Sequence, residues 1–277
     1  MTDQTDASAT ERAAHFLALH RPGQPLLLPN PWDLGSARVL ESLGFEALAT
    51  TSSGFAATLG LPDGAVTKEQ AIAHAGRIAG ATQLPVSADL EHGYGDDPQD
   101  VAETVRLAIE AGLAGCSIED FTGHSEDPIY ETSLAVERIA AAAEAAHAGS
   151  RPLVLTARAE NHLHGRDDLA DTIARLRRYA EAGADVVYAP GLSRAADIRA
   201  VVEAVDRPVN VLTRADAPTV SQLAELGVAR ISVGGAFAFA ALGALADAAR
   251  ELQTAGTYGY LRGAAAGRKA TDTAFTA

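Results

Sequence analysis

The chain has 277 residues, 47% hydrophobic and 21% charged, enough to bury one large core or two small ones. Its formal net charge of −14 and pI near 4.9 exclude the broad basic surface that phosphate binding needs, and with it a nucleic-acid partner. The same charge disfavours an anionic membrane surface.

The polar, acidic opening MTDQTDASATERAAH lacks the basic start and apolar core of a signal peptide. Within it, DASATERAAHFLALH predicts a helix ahead of the first strand. Eight apolar, β-rich runs follow: PLLLPNPWD (25–33), EALATTSSG (46–54), LPVSADLE (84–91), GCSIED (115–120), PLVLTARAE (152–160), ADVVYAP (184–190), PVNVLT (208–213) and RISVGG (230–235). They are continuous rather than alternating, as strands buried on both faces are.

Helical segments lie between them. TKEQAIAHAGRIAGA opens on a threonine cap, and DDPQDVAETVRLAIEAG offers Asp97 as cap, Pro98 in the first turn and Gly112 as the stop. IEAGLAG, AEAGADV, AELGVAR and ESLGFEA each hand a helix to the next strand through a glycine. Cys116, inside the fourth strand, is the one cysteine, so no intrachain disulfide forms. No apolar run reaches the roughly 18–20 residues of a membrane span, and a cytoplasmic protein is expected.

Eight strand–helix units in about 250 residues match a (β/α)8 barrel, a TIM barrel of α/β class with an extra N-terminal helix. A doubly wound open sheet fits less well, because no strand leads into GxGxxG and no second domain interrupts the units. One domain over residues 1–256 is expected, with 257–277 as a loosely held tail. The helix after the eighth strand is apolar around most of its circumference, which favours packing against another subunit.

Barrel enzymes carry their chemistry at the C-terminal strand ends. There the third strand ends with Asp89 and Glu91, which alternation aims in one direction, and the fourth with Glu119. Three such carboxylates repel one another unless a cation lies among them. An all-oxygen set suits a hard divalent ion, Mg2+ or alternatively Mn2+. Arg158, one strand further on, suits the clamping of a small anionic substrate.

SADLEHGYGD, GCSIED and TARAEN, in that order, resemble the strand ends of the isocitrate lyase/phosphoenolpyruvate mutase superfamily: D-x-D-x-G-Y/F-G, I/L-E-D and A-R-x-D/E. GFEALATTSSGFAATLGLPDG is similar to a further segment of that family. The resemblance covers roughly residues 25–250. It implies a (β/α)8 barrel, Mg2+, a small dicarboxylate or keto-acid substrate, and a homodimer or homotetramer whose last helix is exchanged between subunits. By position, Asp89 matches the direct metal ligand, Glu91 and Glu119 match acids that hold metal-bound water, and Asp63 matches another acid near the metal. Ser53, Gly54 and Phe55 match the turn that takes the substrate carboxylate, and Arg158 the arginine at its other anionic end. Asn161, at the same rim, is a further candidate for substrate contact.

The loop after the fourth strand departs from the family. EDFTGHSEDPIYE replaces the lyase branch's K-K/R-C-G-H and also lacks the lysine and asparagine of the mutase branch. His124 is its one group suited to proton transfer near neutral pH, and is expected to act as acid/base in place of the missing cysteine. The expectation is an enzyme that breaks a C–C bond in an α-keto or 2-hydroxy acid through an enolate, with oxaloacetate decarboxylation favoured. A P–C bond enzyme of phosphoenolpyruvate mutase or phosphonopyruvate hydrolase type is the second choice, and a non-catalytic keto-acid-binding barrel the rival.

Overall fold

The computed structural model describes residues 11–276. Eight parallel strands, β1 (Leu26–Leu28), β2 (Leu48–Ala49), β3 (Val86–Asp89), β4 (Gly115–Glu119), β5 (Val154–Arg158), β6 (Val186–Tyr188), β7 (Val209–Leu212) and β8 (Arg230–Ser232), form one sheet. Their order, β1-β8-β7-β6-β5-β4-β3-β2, leaves only the seam between β1 and β2 without ladder pairing. Two contacts cross it: the Ala49 amide donates to the Pro29 carbonyl at 3.1 Å, and the Asn30 side-chain amide to the Thr50 carbonyl at 2.9 Å. The Asn30 carbonyl oxygen also accepts from the amides of Val233 and Gly234. One side chain thus joins three strand ends and all but closes the barrel.

The crossovers carry α2 (Leu34–Ser42), α3 (Ser52–Thr58), α4 (Lys68–Ala79), α5 (Pro98–Glu110), α6 (Thr132–His147), α7 (Leu169–Glu181), α8 (Ala195–Ala204) and α9 (Val220–Glu225), and α10 (Ala236–Thr254) and α11 (Leu261–Phe275) follow the last strand. The local signals act as expected. Thr67 and Gln70 cap α4 reciprocally, and Asp97 with Pro98 starts α5. Gly44, Gly112, Gly183 and Gly227 take positive φ as each helix turns toward its strand.

The expected N-terminal helix is α1, residues 11–18 of the described chain; the part expected over residues 6–10 lies outside the described residues. It plugs the N-terminal end of the barrel. Phe16 is fully buried among Leu26, Ala47, Ala114, Val154 and Val186. Gly115 makes room for it, since a Cβ there would lie 2.7 Å from the ring.

The segment after Gly256 departs from the loose tail expected of it. Glu251 ties down the turn, accepting from the Thr257 hydroxyl at 2.5 Å and the amides of Gly259 and Tyr260 at 2.6 and 3.2 Å. α11 then lies along α2, with Ala274 buried and the Phe275 ring against the backbone of Gly35. Small residues in this stretch allow close helix packing, a use that composition does not distinguish from looseness. α10 buries only Ala238, and leaves Phe239, Leu242, Leu245 and Leu252 exposed. No helix among the described residues is long and apolar enough to cross a membrane.

Phe16→Ala empties a close-packed plug that little can collapse to fill, so we expect a loss of about 3–5 kcal/mol. Urea unfolding should show a lower midpoint with an unchanged slope; a midpoint equal to wild type would mean that α1 is not part of the cooperative core.

Candidate functional site

At the C-terminal end of the strands lies a cavity of about 190 Å3. Asp89, Glu119 and Arg158 end three successive strands, with Glu119 opposite Arg158 in the β4–β5 register. Arg158 gathers the acids. Its Nη1 lies 3.0 Å from Asp89 Oδ1, its Nη2 3.1 Å from Glu119 Oε2 and its Nε 2.8 Å from Glu160 Oε1, while the Tyr188 ring stands 5.1 Å from the guanidinium. Burial opposes the arginine's charge, but Glu119, Glu160 and Asp89 hold its pKa well above the ordinary value. Burial raises the carboxyls of Glu119 and Glu160, and Arg158 counteracts this. Asp89 is oriented further by two hydrogen bonds: its Oδ2 accepts from the Ser52 amide at 3.0 Å, and its own amide donates to the Thr50 hydroxyl at 2.9 Å.

Strand alternation does not place Glu91. β3 ends at Asp89 and Leu90 turns into the core; Glu91 itself is left-handed, with φ 49°. Tyr94 is left-handed too, at φ 61°, and two such non-glycine residues in one turn store strain that the surroundings must hold. Arg138, a buried residue of α6, does this. Its Nη1 donates to the carbonyls of Gly95 and Asp96 at 2.6 and 2.5 Å, and its Nη2 to that of His92. The Tyr130 ring lies under the guanidinium at 4.2 Å, and the Tyr130 hydroxyl donates to Asp96.

The turn presents Glu91 toward Asp89 and Asp63. Burial first, then the charges of Asp89 and Asp63, push the Glu91 carboxyl up to about 7, although the Tyr94 hydroxyl donates to it at 3.3 Å. Asp63 sits on the cavity rim with its outer side open to solvent. Desolvation and the charge of Asp89 raise its carboxyl above the usual range.

The other expected site residues divide. Ser53 lines the cavity beside Ser52. Gly54 is a packing glycine, since a Cβ there would lie 2.6 Å from Thr51 Cγ2 and 3.2 Å from Trp32 Cβ. Phe55 turns away and stacks on His74 with ring centroids 3.7 Å apart. Asn161 is fully buried outside the cavity lining, its side-chain amide donating to Asp171 at 2.8 Å. β5 has ended at Arg158, and a 3-10 turn from Asn161 to Leu163 points that side chain back at α7. His124 lies on the exposed loop, outside the lining, its amide donating to the Thr122 hydroxyl at 3.0 Å. Its expected role as acid/base finds no support in this placement.

Ser52 and the polar side chains of the lumen carry no signal in the sequence motifs, and Glu160, visible at the fifth strand end two residues beyond Arg158 in TARAEN, gains its role only from the structure. Asp120 next to Glu119 is structural: it accepts from the Tyr179 hydroxyl at 2.6 Å, the Arg175 guanidinium at 3.2 Å and the Glu160 amide at 2.8 Å. This network fixes the backbone that carries Glu119 and Glu160. Among the described residues no three His, Cys, Asp or Glu side chains form a ready-made metal cage. The oxygens around Asp89 are of the donor type that a hard ion takes, and such an ion would depend on water or ligand oxygens for most of its shell.

Residues 16–253 match the family model described as phosphoenolpyruvate phosphomutase. A candidate lyase/mutase of Burkholderia cenocepacia J2315 is 52% identical in its crystal structure, with a TM-score of 0.89 over 92% of each chain. The crystal structure of a 2,3-dimethylmalate lyase is 30% identical, with a TM-score of 0.80 over 90% of this chain and 89% of that one. The oxaloacetate decarboxylase of Pseudomonas paraeruginosa (strain DSM 24068 / PA7) is 32% identical over 258 residues, 88% of this chain and 86% of its own.

The crowding of Glu91 has a sign that stability measurements can read. In the folded chain its carboxyl, near 7 against an ordinary 4.5, keeps a proton that the unfolded chain releases between those values. Stability therefore falls as pH rises through that window. In EDTA, Glu91→Gln should gain on wild type from pH 4.5 to 7, by on the order of 1–3 kcal/mol. Parallel stability–pH curves for the two proteins would show that Glu91 is not crowded.

Proposed function

The chain belongs to the isocitrate lyase/phosphoenolpyruvate mutase superfamily, and on that premise we propose that its cavity binds a small α-keto or 2-hydroxy acid and breaks a carbon–carbon bond in it, oxaloacetate decarboxylation being the favoured reaction. One observation carries the reading. Asp89, Glu91 and Asp63 crowd so closely that charge on one raises the carboxyls of its neighbours, an arrangement that a divalent cation relieves. Asp89 would hold Mg2+, or Mn2+, directly, with Glu91, Glu119 and Asp63 reaching it through water. When bound, such an ion polarises the neighbouring keto and carboxylate oxygens of a substrate.

The chain's own groups do the rest. Arg158 donates hydrogen bonds to Asp89 and Glu160 and pairs with Glu119 at 3.1 Å, and its remaining N–H groups offer a substrate carboxylate donors on an already rigid guanidinium. Ser53 adds a hydroxyl to the wall beside Gly235, where a Cβ would lie 2.6 Å from its Oγ. In oxaloacetate the bond from the methylene carbon to its carboxylate breaks, CO2 leaves, and the electron pair passes into the enolate. A solvent proton on that carbon completes pyruvate. No hydroxyl proton has to be removed, so the reaction does not depend on an acid or base in the loop that carries His124. Aldol-type cleavage does depend on one, which is why decarboxylation is preferred.

The test is pyruvate release from oxaloacetate above the rate with Mg2+ alone. Asp89→Asn and Arg158→Lys should each lower kcat/KM by roughly a hundredfold or more. Absence of turnover, with oxalate and Mg2+ still raising Tm, would leave a keto-acid-binding barrel instead.

The exposed apolar face of α10 is read as the surface on which another copy packs, by helix exchange within a homodimer or homotetramer. Leu242→Glu with Leu245→Glu should reduce the mass seen by light scattering to that of one chain. An unchanged mass would place any interface elsewhere.

A further inference from the structure

Below the level of Arg158 the barrel interior carries small and polar side chains among its leucines. Such a lumen is ordinarily filled by bulky branched side chains, yet here Ala49, Ser87, Ser117 and Asn210 line a cavity that continues down to Arg230 on β8. Arg230 is 4% exposed, and its partners among the described residues are neutral. Its Nη1 donates to the Thr156 hydroxyl at 3.0 Å and to His20 Nε2 at 3.4 Å. His20 Nδ1 lies 2.8 Å from the Phe16 carbonyl, and burial, then the charge of Arg230, lower its pKa to about 3. The imidazole is therefore neutral, with its proton on Nδ1 and its Nε2 lone pair facing the arginine.

Among the described residues, two polar atoms at this level have no hydrogen-bond partner. They are Arg230 Nε, a donor, and Asn210 Oδ1, an acceptor; Asn210 Nδ2 is occupied by the Ser232 hydroxyl at 3.0 Å. Burial and the nearby charge of Arg158 draw Arg230 down to about 10. A buried guanidinium with no counter-anion is strongly disfavoured unless a ligand brings one.

We infer that the lumen between Arg230 and Asn210 is a carboxylate subsite, its anionic oxygens received by the Arg230 guanidinium and a hydroxyl on the same ligand donating to Asn210 Oδ1. The chemistry selects a small acid with a donor next to its carboxylate, as in a 2-hydroxy diacid. It rests on the proposed function only for the source of that carboxylate, either the substrate's own second acid group or a free one.

Calorimetric titration and thermal shift on the full chain separate these sources, with malate, formate and oxalate as probes. Arg230→Gln should weaken malate at least roughly tenfold, as loss of a charge-assisted contact does, while Arg230→Lys retains part of the affinity. Oxalate with Mg2+, seated at the mouth, should stay within about twofold in both variants by the same reckoning. An effect confined to malate identifies the substrate's own acid, and an equal effect on formate identifies a free carboxylate. Ligand-free Arg230→Gln should unfold no earlier than wild type, because no ion pair is lost.

Unchanged malate and formate binding, or an equal loss for oxalate, would overturn the subsite. If oxalate proves indifferent to Mg2+, the metal reading fails while the malate and formate arms still decide this one. Should Arg230→Gln not fold, Arg230→Lys and Asn210→Leu carry the same comparison.

Discussion

At the C-terminal ends of β3, β4 and β5 the guanidinium of Arg158 meets Asp89, Glu119 and Glu160 within 3.1 Å, and the rest of the site follows from that packing. Carboxylates brought this close out of water are stable only if a cation shares their charge and hydrogen bonds fix their orientation. Arg158 does both for the acids it touches. It does less for Glu91 and Asp63, where its attraction is the last of the influences on each carboxyl and burial together with the charge of Asp89 outweighs it. The mouth is therefore half neutralised. One side is complete within the protein, and the other is left with a surplus of negative charge that an outside cation can use.

Holding that surplus in place requires a rigid frame, and the frame is built from polar groups that never reach the cavity. Arg175 and Tyr179 hold the Asp120 carboxylate, which in turn accepts from the Glu160 amide next to Glu119. Arg138 grips three carbonyls of the turn that presents Glu91. Both frames reach the strand ends from the helical layer, Arg138 from α6 and Arg175 and Tyr179 from α7. Helix packing thus transmits rigidity to the acids, and strain in the left-handed turn at Glu91 and Tyr94 persists because Arg138 over-determines it.

Much of this was legible in the sequence, and the boundary of legibility is physical. Caps, glycine stops and continuous apolar runs are local signals, and they identified the barrel. Asp89, Glu119 and Arg158 were legible because each ends a strand, and the topology then makes them neighbours. Asn161 and His124 were not, because both follow a strand end by a few residues, and a 3-10 turn or a loop redirects a side chain in ways that spacing does not encode. The engagement of Arg158 by three acids depends on distances between strands, which no single strand carries. Arg230 and Asn210 stood in plain view as polar residues inside apolar runs, but whether such a residue faces helices or lumen depends on barrel stagger. The helix α11 was missed because small residues serve close packing and loose chain equally well.

The barrel axis also has a polarity that neither the strands nor the motifs require. Its N-terminal end is a dry plug around Phe16, its middle holds the unpaired cation Arg230 beside the free acceptor of Asn210, and its mouth carries excess acid around Asp89. A well-packed apolar middle would be more stable by itself, since an uncompensated buried charge opposes folding. A ligand that reaches down the axis with negative charge would offset that cost in the middle, as a cation at the mouth would for the acids. Where the carboxylate in the middle is the substrate's own second acid group, one anionic molecule with its proposed metal would resolve both imbalances.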